Sequence, residues 1–277
     1  VTRVSDAIRA ANDQGRAALI VYLPAGFPDM ATSRACLEAA AESGADLLEI
    51  GFPYSDPLMD GPIIQQANQR AMEAGYTPRD DFAMCRQLNA AVDIPTLVMT
   101  YYNIVWHYQA PDRLRPFASD AAAAGLAGVI VPDLPVDESR DWLAAASEAG
   151  LATVFLAAST SSDHHLAAAA RASDGFVYAT STLGVTGTRE SLSERAGPLV
   201  ARLRGVTSDP VCVGIGVSTA AHAETVAGFA DGVIVGSAAV RAAADGGPAA
   251  VADLVSDLAA GCRRGYPTAV RVADSTR

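Results

Sequence analysis

Eight short apolar segments rich in Val, Ile, Leu and Thr recur along this chain with alanine-rich amphipathic stretches between them, and no other feature narrows the possible folds as much. The segments are Ala18 to Leu23, Asp46 to Phe52, Pro95 to Tyr101, Gly128 to Leu134, Ala152 to Ala157, Gly175 to Thr180, Pro210 to Gly216 and Gly232 to Gly236. Between them, Met30 to Ser43, Pro62 to Ala74, Pro111 to Ala124, Asp137 to Ala149 and Ser191 to Leu203 combine helical spacing with good intrinsic helix propensity. Strands that alternate with helices build a parallel sheet, because a parallel neighbour is reached only through a crossover. Eight such units match a closed barrel ringed by helices; an open, doubly wound sheet is the alternative.

With 277 residues, 50% of them hydrophobic, the chain can bury a full core and sits near the usual size of one barrel. The expected organisation is a single α/β TIM barrel, (β/α)8, over residues 1–262, with Val4 to Asp13 as an added amino-terminal helix. Residues 263–277 carry charge and Pro267 without clear periodicity and read as a loose tail.

In a barrel the residues just past each strand share one rim, and the second strand carries its most informative side chain. Leu47, Glu49 and Gly51 fall on one face there, Leu48 and Ile50 on the other. A carboxyl on an apolar wall is pushed toward neutrality, so Glu49 is placed to donate and accept a proton near neutral pH. The alternative is a buried ion pair with an arginine from a neighbouring element. Asp56 and Asp60 follow on a proline-pinned loop, where aspartate commonly shapes turns; only pairing with Glu49 gives them chemistry.

The last three strand ends are rich in glycine: Gly184 and Gly187, then Gly214 and Gly216, then Gly236 with Ser237. Free backbone N–H groups and helix amino termini there can hold a phosphate, or the glycines serve tight turns alone. Tyr22, Tyr101, Tyr102 and Tyr178 end other strands and suit an aromatic pocket or plain core.

All 20 basic residues are arginine, which removes every mechanism that needs a deprotonated lysine, Schiff bases among them. A formal charge of -11 argues against capture of nucleic acid or anionic membrane. Cys36, Cys85, Cys212 and Cys262 lack the paired spacing of a zinc site or disulfide framework, and His107, His164, His165 and His222 do not converge on a metal. No metal or cofactor is expected. Val1 to Arg16 holds no apolar run of signal-peptide length and no later stretch has the length of a membrane span, so a cytoplasmic location is expected.

The run Leu48-Glu-Ile-Gly-Phe-Pro-Tyr-Ser-Asp-Pro-Leu-Met-Asp-Gly-Pro62, followed in order by Thr100-Tyr-Tyr-Asn103, Pro132-Asp-Leu-Pro135, Gly175-Phe-Val-Tyr178 and Gly184-Val-Thr-Gly187, resembles the tryptophan synthase alpha subunit family from about Tyr22 to Val240. The resemblance implies a barrel that cleaves indole-3-glycerol phosphate to indole and glyceraldehyde 3-phosphate without metal or cofactor. It implies a beta subunit as partner, in an alpha2-beta2 heterotetramer. By matching position, Glu49 would move protons and Asp60 would engage the indole N–H. Tyr22, Tyr101 and Ile130 would border the indole, and Tyr178 would lie beside Glu49. Gly187, Gly216, Gly236 and Ser237 would surround the phosphate, with Thr186 in a segment, Leu183 to Glu194, that closes over substrate. Pro53, Asp56, Asn103 and Asp133 would face the partner.

Two positions depart from the family pattern. After Asn103 the chain reads Ile104-Val-Trp-His-Tyr-Gln109 in place of proline and a later glycine, and Ala158-Ser159 replaces the usual Ala-Pro. Trp106 and Tyr108 fall where the partner would dock, which signals either a re-tailored interface or a stand-alone lyase that releases indole. A catalytically silent barrel that binds the phosphorylated ligand, and another phosphosugar enzyme such as an isomerase, are the other readings.

Overall fold

The computed structural model describes residues 2–109, 114–180, 189–214 and 216–267. Strands β1 (Ala18–Pro24), β2 (Leu47–Gly51), β3 (Thr96–Met99), β4 (Gly128–Ile130), β5 (Ala152–Ala158), β6 (Val177–Thr180), β7 (Val211–Val213) and β8 (Gly232–Val235) pair in sequence order, all parallel. β8 returns to β1 and closes the barrel, so the open sheet is excluded. The helices are α1 (Arg3–Asp13), α2 (Met30–Glu42), α3 (Pro62–Glu73), α4 (Pro78–Asn89), α5 (Tyr102–His107), α6 (Leu114–Ala123), α7 (Arg140–Glu148), α8 (Asp163–Ala172), α9 (Arg189–Arg204), α10 (Ala220–Ala227) and α11 (Ser237–Gly265).

Alternation along each strand sorts the apolar residues into two layers. Ala18, Ile20, Leu47, Leu97, Val154 and Phe176 fill the lumen, while Leu19, Val21, Leu48 and Ile50 pack under the helices. Val4 and Ile8 of α1 join the lumenal cluster, so α1 plugs the amino-terminal end of the barrel. Its first turn is fixed by a reciprocal cap: Ser5 N–H donates to Thr2 Oγ1 at 3.3 Å and Thr2 N–H to Ser5 Oγ at 3.0 Å. Thr2 Oγ1 also donates to the Asp174 carbonyl at 3.1 Å, and Asn12 Nδ2 to the Asp231 carbonyl at 2.9 Å.

Three aspartates stitch the same end. Asp46, Asp174 and Asp231 each precede an even-numbered strand and accept an N–H from the strand before it: Leu19 at 2.8 Å, Thr153 at 2.6 Å and Val211 at 2.8 Å. Arg16 pairs with Asp46 at 2.6 Å and Arg204 pairs with Asp231, so acidic side chains at this end are spent on structure.

Several boundaries differ from the sequence expectation. β4 stops at Ile130 because Pro132 and Pro135 have no N–H to give the ladder, and the chain turns there. β3 stops at Met99, and the expected strand residue Tyr101 instead precedes α5, whose first N–H, from Tyr102, is accepted by Asp133 Oδ1 at 2.8 Å. The stretch Asp137 to Ala149 splits into a 3-10 turn at Val136–Glu138 and α7. α11 kinks at Gly247, whose φ of 61° suits glycine, and runs on to Gly265, taking Arg263 and Arg264 into its last turn. Residues 268–277 of the expected tail lie outside the described residues. Among the described residues no helix is long and apolar enough to cross a membrane.

Candidate active site

Glu49 sits in register between Tyr22 of β1 and Leu97 of β3. Its neighbour Leu47 belongs to the lumenal cluster and Leu48 and Ile50 to the outer one, so the two-residue period points Glu49 inward. It is 1% exposed, and Oε2 has no hydrogen-bond partner among the described residues. Burial, and then the nearby charge of Asp60, push its carboxyl up to about 8. The expected alternative of an arginine partner is not found among the described residues. Charging an unpaired carboxyl there would cost on the order of several kcal/mol, so at pH 7 Glu49 keeps its proton.

Asp60 closes the β2–α3 loop, two residues before Pro62 opens α3. It is 9% exposed, and burial raises its carboxyl to about 6 against the opposing pull of hydrogen bonds from Tyr101 and Asn68. The Tyr101 hydroxyl donates to Asp60 Oδ2 at 3.4 Å and Asn68 Nδ2 donates to the same oxygen at 3.3 Å. Gln65 Nε2 holds the Asp60 carbonyl at 2.9 Å. Tyr101 is itself fixed, because its hydroxyl accepts the Met59 N–H at 3.0 Å and Tyr54 stacks on its ring with centroids 5.0 Å apart. Asn68 and Gln65 were not anticipated from sequence. The available signal was a polar residue on the buried face of α3, since Asn68 lies between Ala67 and Ala71 in that face.

Tyr22 and Tyr178 join the same group. Burial is the main reason that both phenols are held well above their ordinary value, with Asp60 and then Glu49 adding to it for Tyr22 and Glu49 and then Asp60 for Tyr178. Their hydroxyls occupy space that a side chain at Gly51 or Gly214 would fill: a Cβ at Gly51 would overlap the Tyr22 hydroxyl, and one at Gly214 that of Tyr178. Gly214 is thus needed for close approach of a tyrosine. Ile130 is fully buried at the end of β4. Gly236 precedes the first turn of α11, which Ser237 opens, and a Cβ on Gly236 would lie 3.5 Å from the Tyr22 ring, so this helix start opens beside the same group. Gly216 follows β7 at φ 58° and is exposed. Thr186 and Gly187 lie outside the described residues, as does Gly184. Of the segment expected to close over substrate, residues 189–194 belong to α9.

Asp56, Asn103 and Asp133 are exposed and Pro53 is half-buried. Leu58, between Pro53 and Asp60, is 86% exposed and Met59 52%. A cavity of about 450 Å³ lies between this loop and α3, lined by Tyr54, Asp56, Leu58, Gln65, Gln69 and Met72; Glu49 is not on its wall. Tyr108, which falls in the stretch expected to meet the partner, is a core residue. It is buried against Phe82 and Phe117, and its hydroxyl donates to Asp120 Oδ2 at 2.6 Å. Trp106 is half-buried, its ring 5.8 Å from that of Tyr102.

A family model described as tryptophan synthase alpha chain matches residues 8–261. The tryptophan synthase alpha chain of Leifsonia xyli subsp. xyli is 49% identical over 265 residues, which cover 96% of this chain and 100% of that one. That of Streptomyces avermitilis is 48% identical over 267 residues, covering 95% of each. Among solved structures, tryptophan synthase of Mycobacterium tuberculosis in space group F222 aligns with a TM-score of 0.88 at 45% identity, over 95% of this chain and 99% of that one. Tryptophan synthase subunit alpha of Legionella pneumophila str. Paris aligns with a TM-score of 0.84 at only 28% identity, over 95% and 98% of the two chains. The match spans every strand and the whole carboxyl-tyrosine group, and the chain belongs to the tryptophan synthase alpha chain family.

Proposed function

We propose that this chain cleaves indole-3-glycerol phosphate to indole and glyceraldehyde 3-phosphate, as the alpha subunit of a tryptophan synthase acting in the cytoplasm. The observation that carries the reading is a buried, proton-holding Glu49 set beside an Asp60 whose hydrogen bonds favour its charged form. The reaction needs a proton delivered to the ring carbon that bears the side chain, a proton removed from the side-chain hydroxyl, and relief of positive charge at the ring nitrogen. Glu49 enters with its proton and gives it to the ring carbon. The nitrogen then carries positive charge, and the Asp60 carboxylate accepts its N–H. As a carboxylate, Glu49 takes the hydroxyl proton while the carbon-carbon bond breaks, its electrons return to the ring and the aldehyde forms. The glutamic acid ends as it began, so no external acid, base or redox partner is consumed.

Tyr22, Tyr101, Ile130 and Tyr178 supply an apolar wall for the indole. Gly216, Gly236 and Ser237, with Gly187 and Thr186, hold the phosphate through backbone N–H groups and the α11 amino terminus. Pro53, Asp56, Asn103 and Asp133 face a beta subunit in an alpha2-beta2 assembly. Exposure of Leu58 and Met59 beside a 450 Å³ cavity supports this, because two large apolar side chains there are left largely uncovered by the described residues.

The test is indole release from indole-3-glycerol phosphate by purified protein, with and without a beta subunit. Slow release alone that accelerates on adding the partner is expected. Fast release that ignores the partner would instead make it a stand-alone lyase, and no release in either condition would overturn the reading.

A further inference from the structure

Asn68 is 2% exposed on α3, and its two amide atoms are used unequally. Nδ2 donates to Asp60 Oδ2, whereas Oδ1 is buried without a partner among the described residues. A buried acceptor left unpaired is a standing cost that an apolar residue would avoid. The amide is therefore kept for what its N–H does. Tyr101 donates to that same oxygen from the opposite element, so both hydrogen bonds converge on Oδ2.

We propose that Asn68 is a positioning residue for Asp60: it anchors Oδ2 from α3 so that the carboxylate, in its charged form, presents its other oxygen to the ring N–H of the substrate. This deepens the proposed function and rests on that reading for the identity of the N–H. The physical reason is the one-way nature of the bond. An amide N–H donates to a carboxylate but cannot accept from a carboxylic acid through the same atom, so the contact is stronger when Asp60 is ionised.

Among the described residues, the ionisable groups that face Asp60 are Glu49 from β2, Tyr22 from β1, Tyr101 after β3 and Tyr178 from β6, and none of them supplies positive charge. The neutral donors, Asn68 and Tyr101, are thus what opposes burial in keeping Asp60 charged.

The test is a titration of the Asp60 carboxyl by carbon-13 NMR in the intact chain, paired with the pH profile of kcat/KM for indole release, in the parent and in Asn68→Leu, a near-isosteric change without a donor. The Asp60 pKa is expected to rise by about one unit, and the acid limb of the profile to move by the same amount, with activity returning toward the parent level at higher pH. Tyr101→Phe, which removes the other donor and keeps the ring, should shift the titration in the same direction. If Asn68→Leu does not fold, the smaller Asn68→Ser carries the same measurement, since its shorter side chain cannot reach Oδ2. An unmoved Asp60 titration, or a uniform loss of activity at every pH, would overturn the proposal. A parent that releases no indole would overturn the proposed function instead, while the titration still decides the role of Asn68.

Discussion

Glu49 and Asp60 are similar acids in different surroundings, and that difference separates their tasks. Among the described residues Glu49 has no donor on Oε2 and is raised to about 8; Asp60 has two donors and is raised only to about 6. The rate profile should therefore be a bell: kcat/KM rises as Asp60 ionises near pH 6 and falls as Glu49 loses its proton near pH 8. A profile flat from pH 5 to 9, on the order of four units, would contradict this. Stability should respond to the same two carboxyls, but in one direction only. Both carboxyls, and the buried Asp81 of α4, whose Oδ1 has no partner among the described residues, hold protons in the folded chain at pH values where the unfolded chain has released them. The folded state then binds more protons, so stability falls as pH rises from about 4 toward 8. Asp81→Leu, similar in shape, should gain about 1–3 kcal/mol at pH 8 and little at pH 4, read by urea unfolding at the two values. Glu49 was readable from sequence because one acid interrupts an apolar strand. Asn68 and Asp81 were not, because a single polar residue in a helix does not say which face the fold will bury.

Among the elements, the strand-helix alternation was plain because each unit repeats the same apolar period, but the ends of the units were not. β3 and β4 are shorter than their apolar runs, because apolar residues continue past the last ladder bond into the rim and the core beneath it. Val131 and Leu134, for example, stay buried outside β4. The amino-terminal helix was recognisable from its periodicity, yet its position as the barrel plug needed the packing of Val4 and Ile8 against lumenal residues. Ile8→Ala should cost about 3 kcal/mol in urea unfolding, the usual loss for a fully buried aliphatic side chain. A loss below about 1 kcal/mol would mean that α1 is an ornament on a self-sufficient barrel.

In the whole molecule, acidic groups divide by barrel end. Asp46, Asp174 and Asp231 bond backbone N–H groups at the plugged end, while Glu49 and Asp60 meet three tyrosines at the open end and Asp56 and Asp133 face solvent beyond them. Sequence resemblance pointed to the open end, but could not distinguish core from surface in the divergent stretch after Asn103: Tyr108 anchors the outer aromatic core, leaving Trp106 and Tyr102 nearer the proposed partner face. Exposed Leu58 belongs to that face as well. Leu58→Asp should raise the beta-subunit concentration needed for half-maximal stimulation by about tenfold, as a central apolar contact worth about 1.4 kcal/mol would. An unchanged titration would place the partner elsewhere. The account as a whole stands on the proton that Glu49 holds inside the barrel. Indole release by Glu49→Gln, measured with the beta subunit present and with circular dichroism confirming the fold, is predicted to fall by at least about a hundredfold; turnover within a fewfold of the parent would contradict it.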